Sequence, residues 1–281
     1  MHKNKNKLLI FSFIIIAAFI FTGCKRFDGI KVKLGVKNND FEYIKQGRIK
    51  KIIIQSTRDK SFRFVVTDEI AIKDLYEILS TSKEVGEKST LESDYIFEMY
   101  EGIDKVHKFN YIAGLDEKDG ANLYSTDKSY IVSKRIDNDI IQNFWNIRKP
   151  IDFKTVYYDS ISKVLDKYVK SNAKVDDKGK KIGIDISEDN SVAKFVLSTD
   201  LETFKSKILN DYNAVLLKGK SADYDVLIKV KTEGYKATIY KSSVTIKTAL
   251  SEKEKLYYVV AKYDKGLWNI ETFEDKKPAK F

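Results

Sequence analysis

Apolar positions along this chain follow three rhythms. One is an almost continuous block, the 14 residues from Leu8 to Phe21, broken by Ser12 alone. A spanning helix needs about 20 apolar residues, so this block is short for one. The second rhythm is alternation, which marks strands, and the third is recurrence at three and four residues, which marks helices. Ile52–Ile54 and Phe62–Val66 predict two strands around a polar turn at Arg58-Asp59-Lys60. Ile72, Leu75, Tyr76, Ile78 and Leu79 share one helix face, with Thr67 or Asp68 as its N-cap. Residues 82–93 read as a charged loop. Strands return at Asp94–Tyr100 and Lys105–Ala113, on either side of the turn Glu101-Gly102-Ile103-Asp104, and again at Tyr130–Ser133. Asp137 then opens a helix whose Ile140, Ile141, Phe144, Trp145 and Ile147 form one apolar side.

Pro150 marks a boundary, because the residue before a proline is pushed out of helical geometry. Beyond it Tyr157, Ile161, Val164, Leu165, Tyr168 and Val169 recur at helical spacing. Ile182–Ile186 and Val192–Leu197 alternate like a hairpin around Glu188-Asp189-Asn190. Thr199 and Glu202 stand three apart, the spacing of a capping box. Six strand-like runs follow: Ala214–Leu217, Tyr224–Val230, Lys236–Tyr240, Val244–Leu250, Leu256–Tyr263 and Leu267–Phe273, with turns at Glu233-Gly234 and Asp264-Lys265-Gly266. The pattern predicts an α+β protein of two domains, each an antiparallel sheet with helices packed on one face. Their bounds are 47–150 and 151–281, behind a leader (1–23) and a polar tether (24–46). The closing turn and Leu267-Trp268-Asn269-Ile270 resemble the end of nuclear-transport-factor-2-like (cystatin-like) domains, over residues 155–275 at most.

The apolar block changes meaning once its flanks are read. Lys3, Lys5 and Lys7 precede it and Phe21-Thr22-Gly23-Cys24 closes it, which gives the three parts of an export signal. Thr22, Gly23 and Cys24 resemble the lipobox of bacterial lipoprotein precursors; Phe21 stands where leucine is usual. The resemblance implies a cleaved leader, a diacylglyceryl group on Cys24, and a chain held on the extracytoplasmic face of the cell membrane. The folded unit behind the lipobox resembles small uncharacterised lipoproteins of Gram-positive bacteria.

Charge adds a candidate partner. The formal net charge is +10, of which the three leader lysines account for three. Residues 153–281 carry 25 basic and 19 acidic groups, so the excess sits in the second half. Beside a membrane, that half would be drawn to anionic lipid or wall polymer within about a Debye length, roughly 8–10 Å. No basic cluster resembles a nucleic-acid motif, so nucleic acid is not an expected partner. The protein or ligand partner is not specified by any motif. Cys24 is the one cysteine, so disulfides and cysteine-based zinc sites are excluded.

Catalytic signatures are sparse, and no cofactor is expected. His107, within Lys105-Val106-His107-Lys108-Phe109, is the one histidine beyond the leader and reads as a surface strand residue. No Gly-x-Ser-x-Gly or Gly-x-Gly-x-x-Gly sequence occurs, and Gly219-Lys220-Ser221 has Ala214 where a phosphate-binding loop carries its first glycine. The loop Asp116–Gly120 places lysine and glycine wrongly for a calcium loop, and no metal site is expected. Aromatics remain as the candidate lining of a ligand pocket: Trp145, Tyr157 and Trp268, with core packing as the competing role. The expected function is therefore a non-catalytic binding or accessory module at the cell surface. A solute-binding lipoprotein of an importer and a carboxylate-dependent wall enzyme are the alternatives.

Overall fold

The computed structural model describes residues 36–141, 149–172, 180–217, 224–249, 254–279 and 281. Phe21, Thr22, Gly23, Cys24 and Trp145 lie outside the described residues, as do Phe144 and Ile147. The architecture is α+β, with two sheets and two hydrophobic cores, one running from Phe41 to Ile141 and the other from Phe153 to Ala261.

A short helix α1 (Glu42–Lys45) leads into β1 (Ile49–Ser56) and β2 (Arg63–Val66). Helix α2 (Glu69–Leu79) follows and buries Ile72, Leu75, Tyr76, Ile78 and Leu79, its predicted face. Asp68 is its N-cap, accepting from Ala71 N at 2.8 Å. Then come β3 (Lys83–Val85), β4 (Tyr95–Glu101), β5 (Lys105–Tyr111), β6 (Leu123–Tyr124) and β7 (Ser129–Ile131). The sheet order is β2-β1-β4-β5-β6-β7-β3, antiparallel at every pairing. Ile54 stands opposite Phe97, and Phe97 opposite Phe109, so one face of the three long strands supplies the core. The stretch expected to be a charged loop holds β3, which pairs with β7 at the sheet edge. Its Lys83 and Glu84 are exposed, and an edge strand needs no apolar alternation. Ile136–Ile141 is a π-helical turn; Asp137 does not cap it but reaches back to the end of β5.

The second domain opens with α3 (Phe153–Asn172), which lies across the sheet and contacts β11, β12 and β13. After it come β8 (Ile182–Asp185), α4 (Ser198–Tyr212), β9 (Ala214–Leu216), and four strands β10 (Val226–Lys236), β11 (Ile239–Thr248), β12 (Lys255–Asp264) and β13 (Leu267–Glu274). The order is β13-β12-β11-β10-β8-β9. Four strands are antiparallel, but β8 pairs parallel with both β10 and β9. The expected hairpin partner of β8 is absent: residues 193–195 form a 3₁₀ turn whose Phe195 plugs the core. Alternation along Val192–Leu197 marks burial of one side of a turn as readily as a strand. The expected turn at Glu233-Gly234 is a bulge, with register shifting between Thr232 and Gly234 while β10 runs on to Lys236.

Gly183 on β8 has no room for a side chain. A Cβ there would lie 2.8 Å from the Tyr224 ring and 3.0 Å from Leu217. Gly183→Ala should cost about 1–3 kcal/mol through overpacking, measured by urea unfolding, with β10–β8 pairing otherwise retained.

Candidate functional site

The two domains meet at a buried clasp. Asp94 directly precedes β4 and its side chain is 1% exposed. Its Oδ1 accepts from Arg58 Nη1 at 2.5 Å and from Ser198 N at 2.8 Å; its Oδ2 accepts from Ala113 N at 2.9 Å. Arg58 Nη2 donates to Ser198 Oγ at 2.6 Å, and that hydroxyl donates to Glu92 O at 2.7 Å. Thr199 Oγ1 adds a bond to Ala113 O. Ser198 is the first residue of α4, and its N-cap, Leu197, offers no side-chain acceptor. A carboxylate of the first domain therefore caps a helix of the second, where the helix dipole favours negative charge. The expected Thr199/Glu202 box does not form: Thr199 bonds to the other domain and Glu202 pairs with Lys205 at 3.0 Å. Burial pushes the Asp94 carboxyl upward, while Arg58 and the two backbone N–H groups hold it down.

Two clefts flank the clasp. One, about 520 Å³, is walled by Leu91, Ile186, Val196, Leu201, Leu216 and Leu217, with Arg58, Glu92, Ser198 and Tyr157 also on its surface. The other, about 500 Å³, is bounded by Tyr95, Asp137, Lys149, Phe153, Phe195 and Asp200. Both volumes suit a small ligand, for which pockets of about 300–1,000 Å³ are usual.

Of the aromatic residues singled out in the sequence, Tyr157 reaches the first cleft but is itself a core ring, 1% exposed. Its hydroxyl donates to Asp189 Oδ2 at 3.2 Å, and Asp189 also takes Thr232 N at 3.0 Å and Thr232 Oγ1 at 2.8 Å. Burial raises Asp189 from the usual carboxylate range, and these donors oppose the rise. Trp268 packs against the same core from β13, edge-on to Tyr263, and its indole N–H donates to Ile151 O at 2.8 Å. It lines neither of these two clefts. Among the described residues no group of three or more His, Cys, Asp or Glu is placed to hold a metal ion. None of their helices is long and apolar enough to cross a membrane.

His107 is more engaged than a surface histidine. Its ring stacks on Tyr43 at 3.9 Å and 5°, and Nε2 lies 2.8 Å from Glu101 Oε2. Arg48 and Lys105 also pair with Glu101. The hydrogen bond from His107 is the chief reason that the Glu101 carboxyl is held down to about 2; burial works against it, and Arg48 and Lys105 assist.

Sequence reasoning missed the clasp. Arg58 read as a turn residue, Asp94 as a strand start and Ser198 as a neighbour of a cap, and Asp94 and Ser198 stand 104 positions apart. Residues 45–150 match the model of an uncharacterised bacterial family, described as YhfM protein. The match spans the first sheet and ends before the second. No curated protein and no solved structure matches the chain.

Asp94→Ala should destabilise the protein by about 3–5 kcal/mol in chemical unfolding, since it strands the Arg58 guanidinium and uncaps α4. For Glu101 the folded carboxyl is depressed below its ordinary 4.5, so its contribution is complete above that pH and lost as pH falls toward 2. Glu101→Gln should flatten the stability profile in that acid window, as read by chemical unfolding at a series of pH values.

Proposed function

We propose that this chain is a lipid-anchored, non-catalytic binding module on the extracytoplasmic face of a bacterial cell membrane, and that it takes its ligand at the seam between its domains. The cleft of about 520 Å³ beside the clasp carries the reading. Its walls come from both domains: Thr90, Leu91 and Glu92 from the first, Leu201, Leu216 and Leu217 from the second. A small-molecule site has this composition, apolar walls with a few fixed polar groups.

Anchoring rests on Phe21-Thr22-Gly23-Cys24, with two acyl chains expected on the Cys24 thioether. At about 0.8 kcal/mol per buried CH₂, two chains anchor stably where one is marginal. The attraction of the second half to anionic lipid or wall polymer is supported by Lys229, Lys231, Lys241, Lys247 and Lys262. Strand register sets all five on the outer side of the second sheet, away from α3. An importer's receptor is the second reading, supported by the same cleft and by the parallel crossover β8–α4–β9.

One experiment has two arms. Labelled fatty acid should enter the wild-type chain in a bacterial host and not Cys24→Ala; label in the mutant would refute the anchor. Anilinonaphthalene sulfonate should bind residues 25–281, which contain every described residue, and Leu201→Trp should weaken it about tenfold by filling the cleft. Equal binding by a natively folded Leu201→Trp chain would refute the cleft.

A further inference from the structure

The second cleft, on the Tyr95 side of the clasp, has a composition of its own. Tyr95 is 2% exposed and lines the cleft, yet its hydroxyl has no hydrogen-bond partner. A buried polar atom left so is costly, and buried hydroxyls in native proteins are normally satisfied. Beside it stands Asp137, whose Oδ1 accepts from Tyr111 Oη at 3.0 Å and Oδ2 from Gly114 N at 2.9 Å. A carboxylate has about four acceptor sites, so two bonds leave it room for further donors. Lys149 and Lys154 lie elsewhere on the cleft surface, together with Asp152 and Asp200. Phe153 and Phe195, their rings 5.3 Å apart, give it an apolar wall. Asp152 is held at φ 44, a left-handed conformation that residues other than glycine seldom adopt and that clusters at binding sites.

We infer that this cleft binds a zwitterion, a free amino acid or short peptide with an apolar side chain: its ammonium donates to Tyr95 Oη and Asp137, its carboxylate faces Lys149 and Lys154, and its side chain rests on Phe153 and Phe195. The inference rests on the reading of the seam as the binding site and adds a ligand class to it. Charge of both signs on one cavity wall selects the class. A simple anion would face Asp137, Asp152 and Asp200, and a simple cation would face both lysines. The buried groups are biased in the complementary senses. Burial raises Asp137 and lowers Lys149, so each gains from an opposite charge brought in by the ligand.

Calorimetric titration of residues 25–281 with leucine, phenylalanine and leucyl-leucine tests the inference, with N-acetyl-leucine and leucine amide as probes that each lack one charge. Binding of the zwitterions is expected, about tenfold or more weaker for each blocked compound. Tyr95→Phe should weaken leucine binding about tenfold and leave the melting temperature unchanged or higher, because it deletes a hydroxyl that has no partner. A merely structural tyrosine would not separate affinity from stability in that way. Lys154→Gln, at an exposed position, should weaken leucine binding and leave that of leucine amide unchanged. Equal affinity for blocked and unblocked compounds, unaltered binding by Tyr95→Phe, or no heat with any zwitterion would overturn the inference. Anilinonaphthalene sulfonate bound at the Leu201 cleft with no zwitterion binding would overturn the ligand class alone; absence of both would remove the seam reading as well.

Discussion

Asp94 joins two cores that otherwise fold around their own residues. Its carboxylate is buried, which in isolation is strongly unfavourable, and it persists because it receives a guanidinium and two backbone N–H groups at once. Each donor comes from a different place: Arg58 from the β1–β2 turn, Ala113 from the chain beyond β5, Ser198 from the mouth of α4. The bond geometry is directional where apolar contact is not, so the clasp fixes how the domains face each other as well as holding them together. The clefts on either side are consequences of that fixed angle, since their walls belong to both domains.

The first domain was largely legible because its long strands and α2 obey local rules. Alternation at Tyr95–Glu101, the helical stripe from Ile72 to Leu79, and the Asp68 cap are all decided within a few residues of one another. Legibility fell where a partner far along the chain decides the outcome. The short strand β3 exists because β7 lies beside it, and nothing within Lys83–Val85 announces that pairing. The parallel β8 was read as half of a hairpin because the next apolar residues are spaced like a strand. What settles the matter is Asp189, which looks like a turn residue and instead binds Tyr157 and Thr232, drawing that loop onto β10.

The candidate site was illegible for the same reason. Large aromatic side chains attract attention in a sequence, but Tyr157 sits inside the second core and Trp268 packs against its edge, as bulky rings without special company usually do. The residues that shape the seam are ordinary ones: an arginine in a turn, an aspartate before a strand, a serine before a helix. Only their convergence is unusual, and convergence is a property of the fold. His107 errs in the opposite direction. Its sequence neighbours are lysines, but the cross-strand and stacking partners Glu101 and Tyr43 give it a fixed place.

The clasp and the clefts are therefore one mechanical unit. Arg58 and Ser198 line the cleft beside Leu201, whereas Tyr95 and Ala113, which flank the clasp through β4 and the end of β5, line the opposite cleft. A ligand seated on either side touches residues whose positions are set by the same carboxylate. Both cavities are bounded by residues of the two domains, so the arrangement that the clasp holds shapes both. Breaking the clasp would bury a charge without a partner, a cost comparable to much of the stability of a typical domain.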